Sequence, residues 1–284
     1  MTQHYILSLS SLERYHQQLI EDERSPETIV KYLRDIRHFF TFLSADKTVD
    51  KETVISYKKH LSQHYKGSSA NSMLVAVNGL LTFLGWSECR VKLLRIQRQN
   101  FRRADRELTK DEYQRLLHAA KHKQNERLYL LMQTICATGI RVSEHRFITV
   151  SAIKTGYARI VNKGKERVVF IPAELKGPLL RFCRAHGVER GPVFVSRSGR
   201  PLDRSNIWAD MKRLSQKANV PAEKIFPHNL RHLFAITYYQ LEKDIIRLAD
   251  ILGHSSVETT RIYTATSGAE QKKLLSRLGL IECG

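Results

Sequence analysis

The chain has 284 residues, 42% hydrophobic and 26% charged, a balance that excludes a solvated, disordered chain and suffices for one large domain or two ordinary ones. No run of about 18 apolar residues occurs, the opening MTQHYILSLSSLERYHQQL lacks a basic, apolar leader, and Cys89, Cys136, Cys183 and Cys283 form no CxxC pair. A membrane span, a secretory signal, a zinc site and a disulfide framework are therefore not expected, and a cytoplasmic setting is. Forty-seven Lys and Arg against 28 Asp and Glu leave a net charge of +19, which points to a polyanionic partner, most simply nucleic acid. The excess is shared, +6 over residues 1–106 and +13 over residues 107–284, as two DNA-contacting domains require and a single basic tail does not.

In chain order, the first 86 residues predict a bundle of about four short amphipathic helices and no strand. Ser25-Pro26-Glu27 supplies an N-cap, a proline at the first helical position and an early acid, after which Ile29, Leu33, Ile36, Phe40 and Leu43 recur at helical spacing. Val54, Tyr57 and Leu61 mark another helix. Ala70, Leu74, Val77, Leu81 and Leu84 mark a further one that stops at Gly85. Between Cys89 and Glu107 the periodicity fails, and Arg90, Lys92, Arg95, Arg98, Arg102, Arg103 and Arg106 face the single acid Asp105. That run is either a solvated linker or a segment that follows a phosphate backbone, with Arg95, Arg98, Arg102 and Arg103 as its candidate DNA contacts.

Thr109 and Glu112 form a capping box that opens a second domain. ITVSAI, YARIVN and ERVVFIP read as strands of a small antiparallel sheet, split by Lys154-Thr155-Gly156 and Lys163-Gly164-Lys165. Helices follow from near Ala173, Ser205, Pro227, Lys243, Val257 and Ser267. The last, to Ile281, carries Leu274, Leu275, Leu278 and Leu280 on an amphipathic tail. The division expected is residues 1–88, a linker over 89–106 and residues 107–284.

Four stretches of the second domain suit phosphate chemistry: Thr138-Gly139-Ile140-Arg141-Val142-Ser143-Glu144, Asn162-Lys163-Gly164-Lys165-Glu166-Arg167, His228-Asn229-Leu230-Arg231-His232, and Leu252-Gly253-His254 with Tyr263 beyond it. Singly, each has an ordinary explanation: a helix-end arginine, a hairpin-tip lysine, a turn histidine, a core tyrosine. In this order they resemble the signature of the tyrosine recombinase (phage integrase) family: TGxRxSE, a lysine-bearing hairpin, HxxR, and LGH followed nine residues later by tyrosine. The resemblance extends over nearly the whole chain. It implies a mainly α, two-domain protein, with a helical SAM-like core-binding domain and an α+β catalytic domain, closing as a C-shaped clamp on double-stranded DNA.

The resemblance also implies roles. Arg141 and Arg231 clamp the phosphate, since permanently charged planar guanidinium groups pair with its non-bridging oxygens. Glu144 supports Arg141, His254 adds a hydrogen bond, Tyr263 is the nucleophile, His228 the base and Lys163 the acid that protonates the leaving 5′ oxygen. The family hairpin commonly reads GKGxKxR, and this one is a residue shorter without the first glycine, which leaves Lys165 as the alternative acid. His145 stands where a leucine is usual. No P-loop and no acidic metal cluster is present, so neither nucleotide nor metal cofactor is expected. A homotetramer on paired DNA sites, alone or with a related recombinase, and a Holliday-junction intermediate are implied, in integration and excision of a mobile element or in dimer resolution. A zinc-protease reading of His228 and His232 fails because Asn229 stands where the general base belongs. A type IB topoisomerase and a catalytically idle DNA-binding regulator are the remaining alternatives.

Overall fold

Three of the four N-terminal helices begin on a side-chain cap. Ser8 accepts from the Ser11 amide at the head of α1 (Leu9–Glu21), Ser25 from Thr28 at α2 (Pro26–Phe42), and Asp50 from Thr53 at α3 (Lys51–His64). The fourth, α4 (Gly67–Phe83), has no such cap and is held by burial: Ala70, Leu74, Ala76, Val77, Leu80 and Leu81 are fully enclosed. Its Gly79 lets α1 approach closely, because a Cβ there would stand 2.6 Å from the Tyr15 hydroxyl. This computed structural model describes residues 4–96, 104–162, 164–263 and 276–277. It divides into two units, residues 1–98 and 99–284.

Two features of the first unit depart from the sequence reading. A pair of two-residue strands, β1 (Tyr5–Ile6) and β2 (Thr48–Val49), pairs antiparallel where no strand was expected; two residues are too few to show an alternating period. The chain after Cys89 also stays on the bundle as far as it is described. Asn78 of α4 bonds both ways to the Val91 backbone (2.9 and 3.1 Å), and Asn71 does the same to Leu94 (2.9 and 2.7 Å). Seven helical residues rise about 10.5 Å, and three extended residues span about 10 Å, so the two amides meet the two peptides in register. Arg95 lies in this extended stretch, whereas Arg98, Arg102 and Arg103 fall outside the described residues.

In the second unit the Thr109–Glu112 box is formed in both directions, at 2.8 and 3.1 Å, at the head of α5 (Lys110–His122). At the centre is α6 (Glu126–Thr138), packed against α5, α8 (Ala173–Ala185) and α11 (Pro227–Glu242). The expected first strand, ITVSAI, is instead α7 (Val150–Thr155), which follows a 3-10 turn over Val142–Phe147 and is capped by the Thr149 hydroxyl at one end and by left-handed Gly156 at the other. Local capping there overrides the β-branched composition of ITVSAI. The sheet is a two-stranded hairpin, β3 (Tyr157–Asn162) with β4 (Lys165–Phe170), in register from Tyr157↔Phe170 to Asn162↔Lys165.

Two short helices, α9 (Arg204–Lys212) and α10 (Ser215–Ala218), precede α11. The helix expected near Lys243 is α12 (Ile245–Leu252), capped by Asp244; Lys243 itself takes a left-handed conformation (φ 55°) at the end of α11. Among the described residues, the stretch from Val257 makes 3-10 turns, Val257–Thr259 and Arg261–Tyr263. The predicted tail helix from Ser267 lies outside the described residues apart from Ser276 and Arg277. No described helix is long and apolar enough to cross a membrane.

Candidate active site

The site assembles around the carboxyl end of α12. A helix leaves its last carbonyls without intrahelical partners and carries partial negative charge there, so it attracts cations. Here three consecutive carbonyls each take one arginine: Ile251 accepts from Arg167 Nε (3.2 Å), Leu252 from Arg231 Nη2 (2.6 Å) and Gly253 from Arg141 Nη2 (3.2 Å). The three guanidinium groups arrive from β4, from α11 and from the turn after α6, and this shared anchor offsets their mutual repulsion.

Each arrival has a local cause. Gly139 ends α6 in the left-handed region (φ 66°), and a Cβ on it would meet the Phe234 ring at 2.4 Å. That turn sets Arg141 at the start of Val142–Phe147 and exposes the Gly139 carbonyl, which accepts from Arg231 Nη1 at 2.7 Å. On α11, Pro227 occupies the first position, and His228, Arg231 and His232 share a face at i, i+3 and i+4. Gly253 ends α12 at φ 62°, where a Cβ would lie 2.8 Å from Arg167 Cδ.

Glu144 is 2% exposed, and both its oxygens are doubly bonded. Oε1 accepts from Arg141 Nη1 (2.9 Å) and Arg167 Nη1 (3.0 Å), while Oε2 accepts from the Arg141 amide (2.7 Å) and Arg167 Nη2 (2.7 Å). Burial alone raises a carboxyl pKa, but the bonds from Arg167 and from the Arg141 amide outweigh it and hold Glu144 below its ordinary value.

Arg231 is 1% exposed; burial and then the charge of Arg141 bring its pKa down to about 10, which still leaves it protonated at neutral pH. Its Nη2 also donates to His254 Nε2 at 3.0 Å. Since a guanidinium can only donate, His254 carries its proton on Nδ1 and gives it to the Thr260 hydroxyl, 2.8 Å away. Burial, then Arg231 and Arg141, lower the His254 pKa to about 4, so the ring is neutral. His228, open on the cleft surface, is likewise held below the ordinary imidazole value, first by desolvation and then by Arg231, Arg141 and Arg204. A neutral imidazole at pH 7 is the form a general base requires.

Tyr263 is 3% exposed, packed among Ala235, Ile236, Leu248 and Leu252. Its ring lies edge-on to His232 (5.0 Å) and parallel to His254 (6.3 Å), and His232 in turn touches His228 (4.6 Å). Burial raises the phenol pKa; the charge and hydrogen bond of Arg231 and the charge of Arg141 pull it back.

Two clefts meet at Arg141. One, of about 570 Å³, is lined by Asn162, Lys165, Arg167, Gly253 and His254; the other, of about 700 Å³, by Arg204, Trp208, His228 and Arg231. The structure thus brings Arg141, Glu144, His228, Arg231, His254 and Tyr263 together, with Lys165 on the cleft wall. Lys163 lies outside the described residues. His145 is buried, its Nδ1 bonded to the Val142 carbonyl and its Nε2 without a partner among the described residues.

Sequence reasoning passed over Thr260 and Arg204, and it left Arg167 without a role. Arg167 had a signal: it is two residues from Lys165 on a strand and so shares its face. Thr260 had none. No group of His, Cys, Asp or Glu among the described residues is arranged to hold a metal ion.

Gly253→Ala is expected to destabilise the fold by about 1–2 kcal/mol through its left-handed backbone alone, and further by pushing Arg167 off Glu144. Gly187→Ala is the control: its φ is 66° with nothing within 4 Å of the added carbon. If the two variants melt alike, the close approach of Arg167 to Gly253 carries no weight.

Fold and site together are those of enzymes that break and rejoin DNA strands through a tyrosine. The phage integrase family profile matches residues 106–270, and the profile of the phage integrase N-terminal SAM-like domain matches residues 12–88. The chain belongs to the phage integrase family and is a tyrosine recombinase. It is 29% identical to tyrosine recombinase XerD of Halalkalibacterium halodurans over 277 residues, 88% of this chain and 90% of that protein. It is 28% identical to tyrosine recombinase XerA of Thermococcus kodakarensis over 282 residues, 95% of this chain and 96% of that one. Among solved structures, the XerH site-specific recombinase bound to difH in a pre-cleavage complex shares the fold at TM-score 0.68 and 22% identity, covering 95% of this chain and 85% of that one. A lambda integrase dimer bound to a COC′ core site does so at TM-score 0.71 and 20% identity, over 90% and 77%.

Proposed function

We propose that Tyr263 opens a DNA strand by in-line attack of its hydroxyl oxygen on a phosphodiester held by Arg141 and Arg231. The new bond joins Tyr263 to phosphorus, the bond from phosphorus to the 5′ oxygen breaks, and the product is a 3′-phosphotyrosyl link with a free 5′ hydroxyl. His228, held below the ordinary imidazole value, is the base that takes the phenol proton once the phenol reaches the cleft. His254 Nε2 accepts from Arg231 in this state; to donate to the phosphate it has to give up that contact and carry the ring proton itself, the Thr260 hydroxyl then donating to Nδ1. The reverse attack by a 5′ hydroxyl from another duplex completes strand exchange with no external energy source, because the ester bond is conserved in the link. The convergence of three arginines on one helix end, with Tyr263 and His254 packed against Arg231, is the observation that carries this reading.

The acid for the leaving oxygen is Lys163, with Lys165 as the alternative; Lys165 lines the same cleft as Arg141 and His254. A substrate with sulfur at the bridging 5′ position needs no proton on leaving, since thiols are far more acidic than alcohols. Lys163→Ala is therefore expected to cleave ordinary DNA slowly and the sulfur substrate at the wild-type rate. Rescue seen with Lys165→Ala and not with Lys163→Ala assigns the role to Lys165.

The N-terminal unit, read as the core-binding domain over residues 1–88, and the linker arginines Arg95, Arg98, Arg102 and Arg103 are taken to hold the duplex. A cleft of the first unit is lined by Lys31, Arg34, His38, Ser68 and Ser69 and by Asp35, which pairs with both Lys31 and Arg34 and leaves one net positive charge there for a phosphate. Lambda integrase has been captured as a tetramer on a Holliday junction with the same fold, which supports a homotetramer on paired sites here. Residues 107–284 are taken as the catalytic part and the cytoplasm as its setting.

The test is incubation with nicked suicide DNA carrying a candidate site, followed by denaturing electrophoresis and mapping of the adduct. A covalent adduct on the peptide that contains Tyr263 is expected. An adduct on another residue, or none on a site that the protein binds, sinks the proposal. Relaxation of any supercoiled plasmid, with no dependence on site, points instead to a topoisomerase.

A further inference from the structure

Arg167 belongs to none of the roles above, yet it makes more contacts to the site's framework than any surface arginine needs. Its two terminal nitrogens hold both oxygens of Glu144 (3.0 and 2.7 Å) and its Nε holds the Ile251 carbonyl (3.2 Å). Its side chain is 13% exposed against 34% for Arg141, so one of the two arginines on Glu144 is turned inward and the other keeps an open face on the cleft.

We propose that Arg167 is the positioning residue for Arg141: it occupies the Glu144 carboxylate from the inner side, so that Glu144 can anchor Arg141 without capturing its charge. The physical reason is the geometry of a carboxylate. A lone Glu144 facing Arg141 would form a two-pronged ion pair with it, the strongest arrangement open to both groups, and would compete directly with the phosphate. With Arg167 already pairing both oxygens, Arg141 is held by one terminal nitrogen and its backbone amide, and its other terminal nitrogen rests on Gly253. The groups that face Glu144 are Arg141 from its own turn and Arg167 from β4, with the field of Arg231 from α11. One negative charge among three positive ones leaves an excess that awaits the phosphate. Left-handed Gly253 is part of the device, because any side chain there would meet Arg167.

The inference rests on the reading of Arg141 as a phosphate ligand, and the two can fail separately. The measurement is the initial rate of adduct formation on nicked suicide DNA at saturating protein, for Arg167→Met, Arg167→Lys, Arg141→Met and the Arg167→Met/Arg141→Met pair. Arg167→Met is expected to cleave about 10²-fold more slowly, as a misplaced catalytic group does, and Arg167→Lys to recover part of that rate. The double variant is expected to be no slower than Arg141→Met alone. The acid limb of the pH profile for Arg167→Met should also move upward, because Glu144, stripped of its inner partner, protonates more readily.

Wild-type cleavage by Arg167→Met, or losses that multiply in the double variant, overturns the inference. Should Arg167→Met fail to fold, the same comparison is made on a Glu144→Gln background, where no carboxylate is stranded; a further loss on adding Arg167→Met there overturns it too. If Arg141→Met cleaves like wild type, the phosphate reading itself falls.

Discussion

Arg231→Lys is expected to cut adduct formation by about 10²–10³-fold, the usual effect of removing one fixed donor aimed at developing charge, and to lower the melting temperature as well. The two losses have one origin. Arg231 is fully enclosed and divides its donors among the Gly139 carbonyl, the Leu252 carbonyl and His254. A single ammonium cannot reach acceptors that diverge in this way, and each buried acceptor left without a donor costs about 1–3 kcal/mol.

Charge is at stake too. Burial and Arg141 already bring the Arg231 guanidinium down to about 10 from an ordinary 12.5. The same surroundings acting on an ammonium that starts near 10.4 carry it toward neutrality at working pH. Adduct rates and thermal melting, measured side by side, check both effects. A lysine variant that melts and cleaves like the parent would mean that the enclosed guanidinium does not set the site.

Tyr263→Phe separates chemistry from structure in the opposite sense. Adduct formation should vanish, while folding and DNA binding in a gel-shift assay stay close to the parent. The ring contacts with His232 and His254 and the packing on Ala235, Ile236, Leu248 and Leu252 need only the phenyl group. What is lost is one hydroxyl, and with it the only atom of this side chain able to bond phosphorus. Residual adduct in the Phe variant would move the nucleophile elsewhere. Because Tyr263 is 3% exposed and its pKa is raised by burial, the Arg261–Tyr263 turn has to open before a phosphate can reach the hydroxyl. Accelerated hydrogen exchange of the Thr260–Tyr263 segment on binding DNA is the expected sign of that step.

The helices of both units were legible because caps and periodic apolar residues are local: Ser25, Thr109 with Glu112, and Pro227 act within one turn of where they stand. Misreadings came where a local rule had a competitor. ITVSAI has strand composition, but Thr149 and Gly156 cap it as a helix. The β1–β2 pair and the docking of residues 91–94 on Asn71 and Asn78 depend on partners distant in sequence, which no window of residues contains.

By itself, the sequence determined which side chains would be candidates for phosphate chemistry, since in-line displacement needs permanent cations, a nucleophile and groups that move protons, and those residue types stand at recognisable spacings. Only the tertiary structure decided what holds them: that Arg141, Arg167 and Arg231 meet on consecutive carbonyls at the end of α12, that Thr260 sets the tautomer of His254, and that Tyr263 is enclosed beside Arg231. The reason is physical. Every residue of a chain carries the same backbone carbonyl, so a site anchored on carbonyls leaves no mark in the sequence until the fold shows which three are left unpaired.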